Sequence, residues 1–228
     1  MSSPTVTKKP RIQPIISRIS VQDAHAAATV QLNALGSHPT QLRIQPLDKR
    51  PSVPTQINIR AQALRDALAG GQRRVIKAVV SRAVDSGVED SEVAGVAVWM
   101  LFNEKKPQLE DGFVPAPPRQ RTKEDEEALV GVDVEFRDKR VAIMTETLVL
   151  ALLNANTGQA LLQWGLDQAD AEGLEAYLES SDAGRQLYEK NGFQIVGWNV
   201  LPDEQFEGGV LKWPALKRGS TNQGSLSS

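Results

Sequence analysis

Apolar residues recur most regularly in the last third of the chain. Leu162, Leu166 and Ala169 are spaced three or four residues apart, which predicts an amphipathic helix over residues 159–171. Gly165 falls inside this helix, where glycine costs ~1 kcal/mol relative to alanine. We therefore expect the helix to pack closely against a sheet at Gly165, because a missing side chain permits close backbone approach.

A strand, a helix and a further strand are predicted to follow. Apolar and polar residues alternate over 174–179 with the period of two that is typical of a strand. Residues 180–182 are Ser-Ser-Asp, which are good N-cap residues for a helix that ends at Gly192, the expected left-handed C-cap. The run at 193–200 predicts another strand, and residues 210–213 predict a last one.

The first half of the chain predicts a second group of strands and helices. The runs at 74–80 and 93–101 predict two strands, and the polar residues 85–90 predict a hairpin connection between them. Ser20 and Asp23 are spaced as in a capping box, which predicts a helix start. The remaining expectations are a strand at 15–19, helices over 21–35 and 59–68, and a loop over 36–57.

The middle of the chain predicts a strand that leads into the helix at 159–171. Residues 123–140 favour a helix with acids near its start. Residues 147–153 form a continuous apolar run that favours a buried strand. The polar turn 154–158 then meets a helix N-terminus, where free backbone amides can hold a phosphate. On the residues alone, this turn is either a phosphate site or a plain connection.

Composition limits the classes of function. The chain has 228 residues and a net charge of −2, so nothing indicates a general affinity for nucleic acid or membranes. It has no cysteine, which excludes disulfides, thiolate metal sites and a cysteine nucleophile. The two histidines, His25 and His38, both lie in the first quarter, which argues against a histidine triad or a metal site. No apolar run reaches the ~20 residues of a membrane span.

These patterns predict one α/β domain over residues 14–216. Residues 1–13 are rich in Ser, Thr, Pro and Lys and are expected to be disordered. Residues 103–122 predict a mobile loop, and residues 217–228 a polar tail. The first residues lack the apolar core of a signal peptide, so we expect a cytoplasmic or nucleocytoplasmic protein.

The stretch 158–193 carries a resemblance to a known family. It is GQALLQWGLDQADAEGLEAYLESSDAGRQLYEKNGF, in which Gly-x-x-Leu-Tyr-Glu-Lys-x-Gly-Phe closes a helix-strand-helix unit. This order and these residues resemble the acetyl-CoA-binding half of the GNAT superfamily of N-acetyltransferases. The resemblance implies a mixed, mostly antiparallel central sheet that splays between its fourth and fifth strands, with helices on both faces.

The resemblance also implies a reaction and its residues. In such enzymes an amine attacks the thioester of acetyl-CoA directly, and a tyrosine before the Gly-Phe turn protonates the departing thiolate. This assigns the acid to Tyr188 and makes Glu146 one candidate base, while Glu179 and Ser180 are candidates to face the substrate. The implied cofactor-binding residues are Leu150, Ala151, Leu152, Asn156, Thr157, Gly158, Gln159 and Ala160.

The turn at 153–158 departs from the family's pyrophosphate loop, Gln/Arg-x-x-Gly-x-Gly/Ala. Leu153 stands at the first position and Asn156 at the middle glycine, so only Gly158 is retained. The loop is also shorter than the family's, and it therefore offers fewer amides to phosphate oxygens. We expect acetyl-CoA to bind, but weakly.

Three functions remain open. The first is an N-acetyltransferase that moves an acetyl group from acetyl-CoA to an amine, in a small molecule or a peptide. The second is a binding or scaffold protein with the same fold and no transfer activity, which the short loop favours. The third is an unrelated α/β module that binds a protein partner through residues 103–122. None of the three uses nucleic acid, a membrane or a metal, and the sequence sets no oligomeric state.

Overall fold

The computed structural model describes residues 13–69, 73–83, 89–100, 130–143, 149–152 and 155–220. In chain order the strands are β1 (Ile15–Arg18), β2 (Arg73–Ala83), β3 (Glu89–Met100), β4 (Val149–Leu152), β5 (Ala176–Glu179), β6 (Gln194–Pro202) and β7 (Val210–Arg218). The helices are α1 (Ala24–Leu35), α2 (Pro39–Ile44), α3 (Val53–Ala69), α4 (Val134–Ile143), α5 (Ala155–Ala171) and α6 (Asp182–Lys190).

The strands form two antiparallel sheets. The first has the order β1-β2-β3-β4, and the second has the order β5-β7-β6. The predicted hairpin pairing is confirmed, since β2 and β3 pair from Arg73 opposite Met100 to Ala83 opposite Glu89. The connecting residues 84–88 lie outside the described residues. The mixed α/β class and the antiparallel sheets are therefore those that the sequence predicts.

The two sheets part between β4 and β5. Among the described residues, β4 pairs only with β3, and β5 pairs only with β7. Helix α5 connects β4 to β5, and these two strands do not pair with each other in the described part of the chain. This is the splayed sheet that the resemblance implies.

Helices cover both faces of the first sheet. On one face, α1 and α3 bury small and branched side chains against β2 and β3, as Ala28 and Leu64 do with Val75 and Val96. Strand residues alternate between faces, so Ile76, the neighbour of Val75, packs on the opposite face against α5. The first sheet is thus buried between two helical layers.

Helix α5 joins the two sheets through its side chains. Leu161 packs against the first sheet, whereas Leu162 and Leu166 pack against the second. At Gly165 an added Cβ would lie 1.9 Å from the Trp99 ring atoms Cε2 and Cζ2. The predicted close approach at Gly165 is therefore confirmed, and the ring of a β3 tryptophan occupies the space.

The predicted helix caps are also confirmed. The Ser20 amide donates to Asp23 Oδ2 at 2.7 Å, which completes the capping box before α1. Ser181 Oγ accepts from the Gly184 amide at 3.3 Å at the start of α6. Gly192 has φ +87°, the left-handed conformation expected after the helix.

The predicted loop over 36–57 is wrong, because it contains α2 and the first turns of α3. Pro39 is the first residue of α2, and Pro54 lies in the first turn of α3. Proline fits there because the first amides of a helix have no intrahelical acceptor. His38 Nδ1 accepts from the Thr40 amide at 3.3 Å and caps α2. These prolines mark helix starts.

Some predicted ends are shifted. Helix α5 begins at Ala155, four residues before the predicted 159. Strand β7 continues to Arg218, two residues into the predicted tail, and the Arg218 guanidinium donates to Asp170 at 3.0 and 2.8 Å. The predicted helix 123–140 is described only from residue 130 onward, where α4 occupies Val134–Ile143. The predicted disordered segment (residues 1–13) lies outside the described residues apart from residue 13, and the predicted mobile loop (103–122) lies outside them entirely.

Candidate functional site

The carboxyl ends of β4 and β5 define the candidate site. Leu150, Ala151 and Leu152 pair with β3 on one side, and their other backbone edge faces no strand that the structure describes. Where neighbouring strands of a sheet part, the gap beyond their carboxyl ends is a common place for a ligand. Within the described part of the chain, this open edge of β4 therefore offers backbone amides and carbonyls to a bound molecule.

The N-terminus of α5 lies at the same end of the gap. The helix begins with Ala155 and Asn156, and the first amides of a helix have no intrahelical acceptor. These amides and the helix dipole favour an anion. Because the helix starts at Ala155, the amides of Gly158, Gln159 and Ala160 fall at positions that bond within the helix. Of the predicted phosphate-binding amides, that of Thr157 and the backbone of Asn156 lie at the open end.

The side chain of Gln159 has a structural partner. Gln159 Nε2 donates to Asn191 Oδ1 at 2.8 Å, and Asn191 Nδ2 donates to Gln159 Oε1 at 2.9 Å. Asn191 Nδ2 also donates to the carbonyl of Leu187 at 2.7 Å. This amide pair fixes the first turns of α5 to the end of α6. The Asn of the Lys-Asn-Gly-Phe turn therefore positions the first turns of α5.

Tyr188 lies on the inner side of α6. Its side chain is 8% exposed and packs edge-on against the Phe193 ring, with 5.9 Å between the ring centroids. A Cβ added to Gly184, one turn earlier, would lie 3.2 Å from Tyr188 Cε2. Burial raises the pKa of Tyr188 to about 12, so the hydroxyl keeps its proton throughout the physiological range.

Glu179 and Ser180 end β5 on different faces of the second sheet. Leu178 is buried against α5 and α6, so the alternation of the strand turns Glu179 toward the opposite face. There Trp213 Nε1 donates to Glu179 Oε2 at 2.6 Å. Ser180 is buried, and its hydroxyl donates to the carbonyl of Ser181 at 2.7 Å. Glu179 is therefore the polar group at this end of β5 that lies opposite α5.

Helix α4 covers that opposite face. Phe136 packs with Leu201 and Trp213 on the second sheet. One turn later along α4, the Arg140 guanidinium lies over the Trp213 ring, with 5.6 Å from Cζ to the ring centroid. Sequence analysis missed this face, because α4 and β7 are far apart in the chain and neither carries a motif.

A cleft of about 410 Å³ opens at the other end of α4. Its lining includes Arg43, Asp133 and Gln205. The Arg43 guanidinium is matched by two carboxylates, since Nη1 lies 2.6 Å from Asp133 Oδ2 and Nε lies 2.6 Å from Asp203 Oδ2. The charge of Arg43 is therefore matched within the protein, and Lys49 is the other cation that lines this cleft.

Glu146, the predicted base, lies outside the described residues. His25 is exposed on α1. The described part of the chain groups no three His, Asp or Glu side chains that could hold a metal. Nor does any described helix combine the length and apolar character needed to cross a membrane.

Comparison with solved structures finds one with the same architecture and one with a weaker match. A structure of histone acetyltransferase HPA2 and related acetyltransferase from Corynebacterium glutamicum matches with a TM-score of 0.53 and 19% identity, covering 92% of this chain and 98% of that chain. A GNAT superfamily phosphinothricin acetyltransferase from Sinorhizobium meliloti, in complex with acetyl-CoA, matches with a TM-score of 0.49 and 14% identity, covering 95% and 93%.

The chain has the GNAT fold. The first of these matches extends over nearly the whole of both chains and confirms the fold that the resemblance implied. No protein-family model and no curated protein matches the sequence. In this GNAT fold, the open edge of β4 and the N-terminus of α5 lie at the splay between the sheets.

Proposed function

We propose that this protein transfers an acetyl group from acetyl-CoA to an amine. The observation that carries the proposal is the position of the α5 N-terminus beside the open edge of β4, at the gap between the sheets. The helix end favours the negative pyrophosphate. The strand edge provides backbone groups for the pantetheine arm, which resembles a peptide in its alternating amides.

The reaction balances without a further reactant. The amine nitrogen attacks the thioester carbonyl carbon, the carbon–sulfur bond breaks, and the acetyl group remains on nitrogen. CoA leaves as a thiolate that takes up one proton, and the acetylated nitrogen loses one. Amides of β4, at Leu150 to Leu152, stabilise the negative charge that develops on the carbonyl oxygen.

The role proposed for Tyr188 is a hydrogen bond to the departing sulfur. An ordinary thiol has a pKa of about 8.5, whereas burial raises the pKa of Tyr188 to about 12. Full proton transfer from the tyrosine to the thiolate is therefore uphill unless the thiolate is itself desolvated. A hydrogen bond from the neutral hydroxyl stabilises the developing thiolate without that transfer. The thiolate can then take up the proton that the attacking nitrogen loses as the amide forms.

The affinity for acetyl-CoA is expected to be weak. The open end of α5 offers few amides, and none of the first three helical residues, Ala155 to Thr157, is basic. Each missing charge-assisted hydrogen bond costs about 1.5–3 kcal/mol, so two lost bonds shift a micromolar site toward millimolar.

Calorimetric titration with acetyl-CoA tests the proposal, and the variant Asn156→Asp sharpens it. A carboxylate in the first turn of α5 favours the helix dipole, so the fold is retained, but it repels a phosphate at the same place. We expect at least tenfold weaker binding in Asn156→Asp. The matched control is Gln163→Glu, which adds the same charge at an exposed position further along α5.

Two results would contradict the proposal. The first is no binding at millimolar acetyl-CoA, and the second is equal affinity in Asn156→Asp and the wild type. A thiol-release assay with a panel of amines then tests transfer itself. Binding without release would favour the second candidate function, a binding module with the GNAT fold. The burial of Tyr188 and the short turn before α5 are the observations that favour that candidate.

A further inference from the structure

The side of the second sheet that α4 covers carries hydrogen-bond donors without acceptors. We call it the α4 face, defined by Arg140, Glu179, Asn199 and Trp213. Asn199 lies directly opposite Trp213 across β6 and β7, so both side chains project to the same side of the sheet. The Trp213 hydrogen bond to Glu179 and the position of Arg140 over the Trp213 ring bring all four residues together.

Arg140 is a partly buried cation without a carboxylate partner among the described residues. Its Nε is buried and meets no hydrogen-bond acceptor. Burial lowers the pKa of Arg140, and the charge of Glu179 opposes that shift. The charge of Arg140 also adds to burial in lowering the pKa of His38, the residue that caps α2. Arg43, on the same side of the sheet, forms ion pairs with two carboxylates, whereas Arg140 has the charge of Glu179 nearby but no ion pair among the described residues.

Asn199 provides a second unmatched donor. Its Nδ2 is buried and has no hydrogen-bond partner within the described part of the chain. Native structures pair almost all such groups, and the exceptions call for a bound water, an ion or a functional role. Arg140 Nε and Asn199 Nδ2 are thus two buried donors on the α4 face, and a planar oxyanion would supply acceptors for such groups.

We propose that the α4 face binds a carboxylate of the acceptor, so that the acceptor class is amino acids or other amines that carry a carboxylate. The inference rests on the proposed acetyl transfer and adds the class of acceptor. Glu179, at the carboxyl end of β5 beside the gap, attracts the ammonium group of such a molecule. A carboxylate fits better than a phosphate, because Glu179 would repel a dianion more strongly than a monoanion.

The geometry also separates the two substrates. Acetyl-CoA is proposed to lie along the edge of β4 and the N-terminus of α5, and α5 packs on the side of Leu178. The α4 face lies on the other side of β5, since Glu179 alternates with Leu178. The amine of an acceptor held by Arg140 therefore approaches the gap from the side opposite α5.

Thiol release with matched amines tests the proposal. Each amino acid is compared with its carboxamide and with its decarboxylated amine, for example phenylalanine, phenylalaninamide and phenethylamine. We expect kcat/KM for the acid to exceed that for the carboxamide by about 10- to 100-fold, the value of a lost charge-assisted hydrogen bond. Carboxamides that react as fast as the acids would overturn the proposal.

The variant Arg140→Gln should remove the preference for the acid, so that the acid and its carboxamide react at similar rates. Arg140→Lys keeps the charge but loses the planar fork, and we expect an intermediate preference. The matched control is Arg137→Gln on the same helix, where the arginine pairs with the neighbouring Asp138. An equal fall for acid and carboxamide in Arg140→Gln would assign Arg140 a structural role and contradict the inference.

Calorimetry separates the failure of this inference from the failure of acetyl transfer. Amino acids are titrated into the protein with and without CoA, so that no turnover is needed. Carboxylate-dependent binding that Arg140→Gln removes supports the α4 face even if no amine releases thiol. Absence of amino-acid binding to the wild type, with acetyl-CoA bound normally, overturns the α4-face assignment and leaves the transfer proposal intact.

Discussion

Replacing Tyr188 by phenylalanine tests two properties of the Tyr188 hydroxyl separately: the effect of its burial on stability at high pH, and its proposed role in the reaction. Burial raises the pKa of Tyr188 from 10.0 to about 12. One pKa unit corresponds to 1.36 kcal/mol, so ionisation of this tyrosine costs about 3 kcal/mol more in the folded protein than in the unfolded chain. The native state prefers the neutral form. Its stability is therefore unaffected below pH 10 and falls as the pH rises from about 10 toward 12.

Urea unfolding at a series of pH values from 8 to 11 measures this effect. The wild type should lose stability above pH 10 more steeply than Tyr188→Phe, because phenylalanine has no proton to lose. Below pH 9 the two proteins should have similar stability, since the ring and its contact with Phe193 are retained. The control is Tyr177→Phe on β5, the other tyrosine of the chain. Parallel alkaline loss in wild type and Tyr188→Phe would refute the burial argument.

The same variant tests the proposed chemistry. If the neutral hydroxyl donates to the departing sulfur, Tyr188→Phe should lower kcat by about 10- to 100-fold, the value of a charge-assisted hydrogen bond. Acetyl-CoA affinity should change little, because the hydroxyl acts on the thiolate and not on the bound thioester. Unchanged turnover would assign Tyr188 to the core alone.

Two further variants test the packing around the site. Gly165→Ala should destabilise the protein by about 1–3 kcal/mol despite the better helix propensity of alanine, since its Cβ would overlap the Trp99 ring. In a Trp99→Ala background the same change should stabilise the protein. A higher melting temperature for Gly165→Ala with Trp99 present would contradict this reasoning. Asn191→Ala leaves the half-buried Gln159 amide without its partner and should lower the free energy of unfolding in urea by about 1–3 kcal/mol. The control Gln163→Ala, on α5 like Gln159, should be nearly neutral. Equal effects of the two variants would show that the amide pair is not what fixes α5 to α6.

The parts of the fold that follow from local physics could be predicted from the sequence. Capping at Ser20 and Ser181, the left-handed Gly192 and the period of two at β5 each depend on neighbouring residues. Gly165 gave a correct long-range prediction, because an unfavourable residue inside a helix needs a compensating contact. The helices α2 and α3 were partly missed, since Pro39 and the other prolines of that segment are compatible with a helix start as well as with a loop.

Only part of the candidate site could be predicted from the sequence. The resemblance pointed to Tyr188 and the end of β4, because a continuous stretch of sequence carries those residues. The α4 face depends on Arg140, Asn199 and Trp213, which meet through the pairing of β6 with β7 and the docking of α4. No spacing in the sequence encodes that meeting. An unmatched donor is likewise a property of three-dimensional surroundings and has no signature in the chain.

The division of the sheet has a consequence for the order of assembly. Helix α5, the second sheet and α6 come from one continuous stretch, residues 155–218, whereas the first sheet joins strands from Ile15 to Leu152. Contacts that close short loops form faster than contacts between distant segments. We expect the C-terminal stretch to acquire protection from amide exchange as an early cooperative unit, with the first sheet closing later. The gap between β4 and β5 is then the last part of the molecule to form, so the proposed acetyl-CoA site forms only when folding is complete.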